Sequence, residues 1–176
     1  LITKPDWFRH FKLEPDPDNT LLLDAMSKAT IKKMSPTVNA IVLGQSGFDA
    51  TDISSDTVFV RDFYPALLEK IRKSRRVVLL GNPGVGKSYF QQYYLARIMN
   101  PALLGALPPD CFGSCDPPNI VIRQLGNEEM IIYDIKNRKA ERVEGSPLGV
   151  LKCYDPKTSL YLFEPDKSLT EPHYGG

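Results

Sequence analysis

What this 176-residue chain lacks narrows its nature first. It carries three cysteines, Cys111, Cys115 and Cys153, too few and of the wrong parity for the disulfide framework of a small secreted domain. Cys111 and Cys115 lie four apart, but no second pair and no suitably spaced histidine accompanies them, so all three read as free thiols rather than zinc ligands. Charge of one sign is not in excess: 22 Lys and Arg stand against 21 Asp and Glu, a formal net charge of +1. That balance gives no electrostatic case for nucleic acid or an acidic membrane surface. No apolar run approaches the ~20 residues needed to span a bilayer, and the N-terminus has no basic-then-apolar signal pattern. No internal repeat is visible.

What is present is a globular composition, 42% hydrophobic and 24% charged, with length enough for one ordinary domain and a sizeable core. Within it, Gly81-Asn82-Pro83-Gly84-Val85-Gly86-Lys87-Ser88 fits the pattern G-x-x-x-x-G-K-[ST]. Glycines let successive main-chain N–H groups face one concavity, which suits the oxygens of a di- or triphosphate. Lys87 then reaches the outer phosphates and the Ser88 hydroxyl serves Mg²⁺. Residues Gly81 to Ser88, with Tyr89 following, are the candidate nucleotide-binding segment. The context agrees. Val77-Val78-Leu79-Leu80 reads as a buried strand, and Phe90, Tyr93, Tyr94 and Ile98 recur at helical spacing with no Gly or Pro before Pro101. A helix beginning at the loop adds its dipole and its unbonded N–H groups to the anion site.

Residues 1–56 read as an N-terminal segment of mixed character. Pro15-Asp16-Pro17-Asp18 breaks regular structure, Leu21 to Met26 begins a helix capped by Asn19 or Thr20, and Gln45 to Ser55 forms a polar linker. The nucleotide-binding unit starts near Thr57. Val58-Phe59-Val60 is a short extended piece, and Tyr64 to Ile71 an amphipathic helix with Pro65 in its first turn. Lys70, Arg72, Lys73, Arg75 and Arg76 suit a solvated helix end near its negative dipole pole. Between Asn100 and Pro118, five prolines and two glycines mark an irregular connection; its lack of Lys and Arg argues against a kinase lid. Asn119–Leu125, Glu129–Ile135 and Arg138–Glu144 read as three strands joined by turns at Gly126-Asn127 and Lys136-Asn137, a β-meander inserted in an α/β sheet. Ser159 to Phe163 is a further apolar strand. It ends at Glu164, a carboxylate placed to hold the Mg²⁺ hydration shell opposite Ser88. Phe63 and Tyr64 could each face a base, but core packing fits both better.

The stretch Val58-Phe59-Val60-Arg61-Asp62-Phe63-Tyr64, the loop, the helix Tyr89-Phe90-Gln91-Gln92-Tyr93-Tyr94-Leu95 and the run Leu160-Tyr161-Leu162-Phe163-Glu164-Pro165-Asp166 together resemble the nucleotide-binding domain of Crinkler effectors and retrotransposon hot spot proteins. The resemblance covers residues 57–176. It implies an α/β P-loop NTPase fold of the STAND or AAA type, with ATP and Mg²⁺ as ligands; separately, an open sheet of this kind needs more parallel strands to cover both faces, so the chain reads as cut short after Gly176. The resemblance also implies an intracellular setting, cytoplasm or nucleus, with secretion into a host for a true Crinkler effector, although residues 1–56 show no ubiquitin-like header. Protein partners or self-association belong to the same picture, nucleic acid only through a nuclease-like region beyond this chain, and no membrane. Leu1 in place of Met suggests a start further upstream.

One departure touches mechanism. Hydrolytic P-loop proteins place a water-polarising residue just after the metal-binding carboxylate, where this chain has Pro165. Either Asp166 orients the water from one step further on, beside Lys87 as the second catalytic residue, or the domain is a nucleotide-binding regulatory module that hydrolyses little. An ATPase or nucleotide-dependent switch is the leading expectation.

Overall fold

The structure is a computed structural model and describes residues 11–36, 38–43, 57–72, 84, 86–103, 118–125, 129–145, 150, 153–155 and 158–164. Phe11–Pro15 forms strand β1, and Asp16 then starts helix α1 (Pro17–Ser27). The Asp16 carboxylate accepts from the Asn19 main-chain N–H at 2.9 Å, and Pro17 occupies a first-turn position where a missing N–H is harmless. The Pro15–Asp18 stretch therefore launches a helix instead of breaking the chain. The cap is Asp16, not Asn19 or Thr20; Asn19 lies inside the first turn, its amide donating to the second Asp16 oxygen at 3.0 Å.

Two short strands follow, β2 (Thr30–Lys33) and β3 (Asn39–Val42), and β3 pairs with β4 (Thr57–Val60) to complete a three-stranded antiparallel sheet in the order β2-β3-β4. Val58 and Val60 of β4 point inward while Phe59 stays half exposed, the alternation a pleated strand imposes. Helix α2 (Phe63–Arg72) carries Pro65 in its first turn, as its sequence implies. Helix α3 (Lys87–Met99) is buried from Gln92 through Ile98, which makes it a core helix rather than a surface one. It packs against α1, α2 and β4. At its C-terminal end, the Asn100 side-chain amide donates to the Ala29 carbonyl at 3.1 Å, tying it to the end of α1.

The expected meander is present as β5 (Ile120–Leu125), β6 (Glu129–Asp134) and β7 (Lys139–Gly145), each antiparallel to the next. Its second turn has a local cause. The Asp134 carboxylate accepts from the Asn137 main-chain N–H at 2.9 Å and side-chain amide at 2.7 Å, and Arg138 takes a left-handed φ of 52° to re-enter the sheet. Strand β8 (Ser159–Glu164) lies parallel to β5, and β1 adds antiparallel to β7, so the sheet order is β1-β7-β6-β5-β8. The protein is thus α/β, with a mixed five-stranded sheet and a separate three-stranded antiparallel sheet. Among the described strands, β5 and β8 are the parallel pair; the run Val77–Leu80, expected as the loop strand, lies outside the described residues. So do the linker at Gln45–Ser55 and the basic residues from Lys73 to Arg76. Strands on both sides of residue 56 share both sheets, since β1 joins β7 and β3 joins β4.

The five-stranded sheet has two covered faces. Val121, Ile131, Tyr133 and Ala140 face α1 and α3 in one core that also takes in Tyr64 and Leu68 of α2 and Val58 of β4. Ile122, Met130, Ile132 and Val143 form a smaller core on the opposite face with Val150. This explains why β5 and β6 read as continuous apolar runs: residues of both parities are buried.

Candidate functional site: the start of α3

Gly86 is the N-cap residue of α3, in the left-handed region with φ 93° and ψ 28°. Its carbonyl accepts the first helical hydrogen bond, from Phe90 N–H at 2.9 Å, and a second from the Tyr64 hydroxyl at 2.8 Å. A side chain here would collide: a Cβ would stand 2.7 Å from Tyr64 Oη and 2.9 Å from Arg61 Nε. Gly84, two residues earlier, also has a positive φ of 82°, but nothing lies within 4 Å of where its Cβ would be. The loop therefore presents an open, exposed side at Gly84 and a closely backed side at Gly86. Gly81, Asn82, Pro83 and Val85 lie outside the described residues.

Lys87 and Ser88 are the first two residues of α3, both half-buried, and Tyr89 is the third, 41% exposed. The first N–H groups of a helix have no acceptor within it, so this end of α3 is electropositive before any side chain is counted. Arg61, in the short link between β4 and α2, brings a guanidinium against Gly86 and adds a cation on the backed side.

The backing is aromatic. Tyr64 is fully buried, its ring edge-on to Phe63 at 5.0 Å and Phe90 at 5.3 Å and tilted against Tyr93 at 5.3 Å. Burial pushes the Tyr64 hydroxyl above its usual pKa, with Arg61 pulling weakly the other way, so it stays a protonated donor to Gly86 across the neutral range. Burial raises Tyr93 likewise, opposed by Arg97. Tyr64 is a core residue, as its sequence suggests; Phe63 is 49% exposed.

Glu164 is the last residue of β8, and Asp166 lies outside the described residues. One side chain ties that end of β8 to α3. Gln91, one helical turn beyond Lys87, donates through Nε2 to the Phe163 carbonyl at 3.3 Å and accepts through Oε1 from Arg123 Nε at 3.2 Å. Arg123 is itself buried on β5 and lies beside Tyr133, whose hydroxyl donates to Asn19 at 2.8 Å. A polar chain thus runs from the α1 cap through β6 and β5 to α3 and the end of β8.

Sequence reasoning did not single out Arg61, Gln91 or Arg123. Arg61 carried a signal, a cation three residues before Tyr64 in a stretch otherwise apolar and acidic. Gln91 and Arg123 gave none, since an amide on a helix and an arginine in a strand are ordinary until the register is known. Of the cysteines, Cys153 is half-buried just after Val150, while Cys111 and Cys115 lie outside the described residues. Among the described residues no helix is long and apolar enough to cross a membrane. No protein-family model matches this chain, and no curated protein and no solved structure matches it.

Proposed function

We propose that this protein binds ATP with Mg²⁺ through the segment Gly81–Tyr89, within a P-loop NTPase fold of the STAND or AAA type, and acts as an ATPase or nucleotide-dependent switch. The observation that carries the reading is the local geometry of Gly86: a left-handed glycine directly before Lys87 and Ser88, at the N-terminus of a buried helix, with its carbonyl held from behind by Tyr64. The donor set suits a polyphosphate. Gly84 leaves open space beside the loop, the helix end favours negative charge, and Lys87 and Arg61 supply cations.

On this reading the main-chain N–H groups of residues 84–88 orient the phosphates, and Lys87 neutralises charge that develops on the transferred phosphoryl group. Ser88 and Glu164 would hold Mg²⁺, which supplies charge neutralisation at the outer phosphates. Asp166 orients the attacking water. The resemblance to Crinkler and retrotransposon hot spot proteins supports an intracellular role, in cytoplasm or nucleus, exercised through protein partners or self-association.

Titration calorimetry with ATP and Mg²⁺ tests the site. Lys87→Ala removes hydrogen bonds to a charged group, each ~1.5–3 kcal/mol, and should weaken binding by at least about tenfold. Equal affinity in parent and variant refutes the assignment. Pro165 favours a second reading, a regulatory module with little hydrolysis. A phosphate-release assay separates the two: turnover that vanishes in Asp166→Ala supports the ATPase, and binding without turnover in the complete protein supports the module.

A further inference from the structure

We infer that Gln91 is a positioning residue that couples the metal-holding strand end to the phosphate-binding helix end, so that the site takes up nucleotide and divalent cation as one unit. The inference rests on the reading of the site just given and concerns how its two halves are held together. Ser88 lies on α3 and Glu164 on β8, elements that are remote in sequence. Gln91 touches both sides of that gap. It sits on the helical face of Lys87 and Ser88, four and three residues beyond them, and its Nε2 donates to the Phe163 carbonyl. That carbonyl belongs to the same planar peptide unit as the Glu164 N–H. Fixing its direction fixes the plane from which Glu164 leaves the strand.

The orientation of the Gln91 amide is determined by its other end. Arg123 offers only donors, so the amide oxygen must face the guanidinium and the NH₂ group must face the carbonyl. Arg123 in turn is held on β5 opposite Leu162, two residues before Glu164, and beside Tyr133. A displacement of the strand end, such as a cation pulling on Glu164 would cause, is therefore passed to α3, one turn beyond Lys87, by a side chain held at both ends of its amide. A glutamate at this position could still accept from Arg123 but could not donate to Phe163. A purely apolar residue would do neither.

The experiment compares nucleotide affinity in EDTA with affinity at saturating Mg²⁺, using ATP and the full chain, for the parent and for Gln91→Met, which conserves volume and removes both hydrogen bonds. The expected result is an EDTA affinity within about twofold of the parent and a Mg²⁺-dependent gain reduced about five- to tenfold, the size of one or two lost hydrogen bonds. Amide exchange in the ligand-free protein gives a readout independent of nucleotide: the end of β8 should exchange faster in Gln91→Met, while β6 is unchanged. A loss that is equal in EDTA and in Mg²⁺ marks Gln91 as mere packing and overturns the inference, as does an undiminished Mg²⁺ gain. A parent that binds no ATP, or a Lys87→Ala variant that binds as the parent does, sinks the site itself and the coupling with it.

Discussion

Replacing Gly86 by alanine tests the local geometry of the loop without any ligand. Three terms decide the outcome. Holding an L-residue in the left-handed region costs ~1–2 kcal/mol. The new Cβ would also stand 2.7 Å from Tyr64 Oη and 2.9 Å from Arg61 Nε. Arg61 can swing away, being the far part of an exposed side chain, but Tyr64 is a buried ring locked against Phe90 and Tyr93. Forcing it aside has the character of overpacking, ~1–3 kcal/mol. Against these, alanine lowers the entropy of the unfolded chain and recovers ~0.4–1 kcal/mol. The net expectation is destabilisation of about 3 kcal/mol, a large share of the ~5–15 kcal/mol that holds a domain together. Gly84 provides the internal control. It has nearly the same φ but open space around it, so Gly84→Ala should lose only the torsional part, about 1 kcal/mol. Urea denaturation followed by circular dichroism reads both. Adding Tyr64→Phe to Gly86→Ala removes the obstructing oxygen and should return about 1 kcal/mol or more relative to the sum of the single changes. If Gly86→Ala proves no worse than Gly84→Ala, the close backing of the loop by Tyr64 is refuted.

Further expectations concern the frame behind the site. Asp16→Ala removes the α1 cap, the contact to the Asn19 amide and the pairing with Arg142 at 3.4 Å, and should cost about 2–3 kcal/mol, with alanine at exposed Asp18 as a near-neutral comparison in thermal denaturation. Tyr133 is buried and its pKa is pushed up to about 12, chiefly by burial, with Arg123 opposing. Its ionisation thus favours the unfolded chain, where the group titrates near 10: stability is intact below pH 10 and falls as pH rises toward 12. Between pH 8 and pH 11 the parent should lose about 1.4 kcal/mol more than Tyr133→Phe in urea titrations; parallel losses would contradict the burial of that hydroxyl.

Much of the sheet was legible because its signals are local. The meander from Ile120 to Gly145 has two largely apolar strands and a mostly charged third, with Asn in each connecting segment, and the Asp134–Asn137 contact explains why the second turn closes. The helix after Gly86 was legible from apolar spacing alone. The N-terminal strands were not. β2 is Thr-Ile-Lys-Lys, mostly exposed, and β3 is four residues long; β2 becomes a strand through pairing with β3, and β3 through pairing with β2 and β4, rather than through their own patterns. At Pro15–Asp18 the chemistry is visible, a proline one step after an aspartate being a helix start, but the two prolines also suit a chain break, which places the expected cap at Asn19 or Thr20 instead of Asp16. At the site, Lys87 and Ser88 could be picked from eight consecutive letters. The roles of Tyr64, Arg61 and Gln91 could not, because each depends on contacts between elements whose packing only the three-dimensional arrangement supplies.

The pairing of β1 with β7 has a consequence for how the chain is made. Phe11 aligns with Gly145 and Pro15 with Glu141, so a ribosome must deliver the first strand long before its neighbour exists. Closing a loop of roughly 130 residues costs about 4 kcal/mol in chain entropy, against about 1 kcal/mol for the tight turn between β6 and β7. The meander can therefore assemble first, and β1 then docks onto an edge that is already formed.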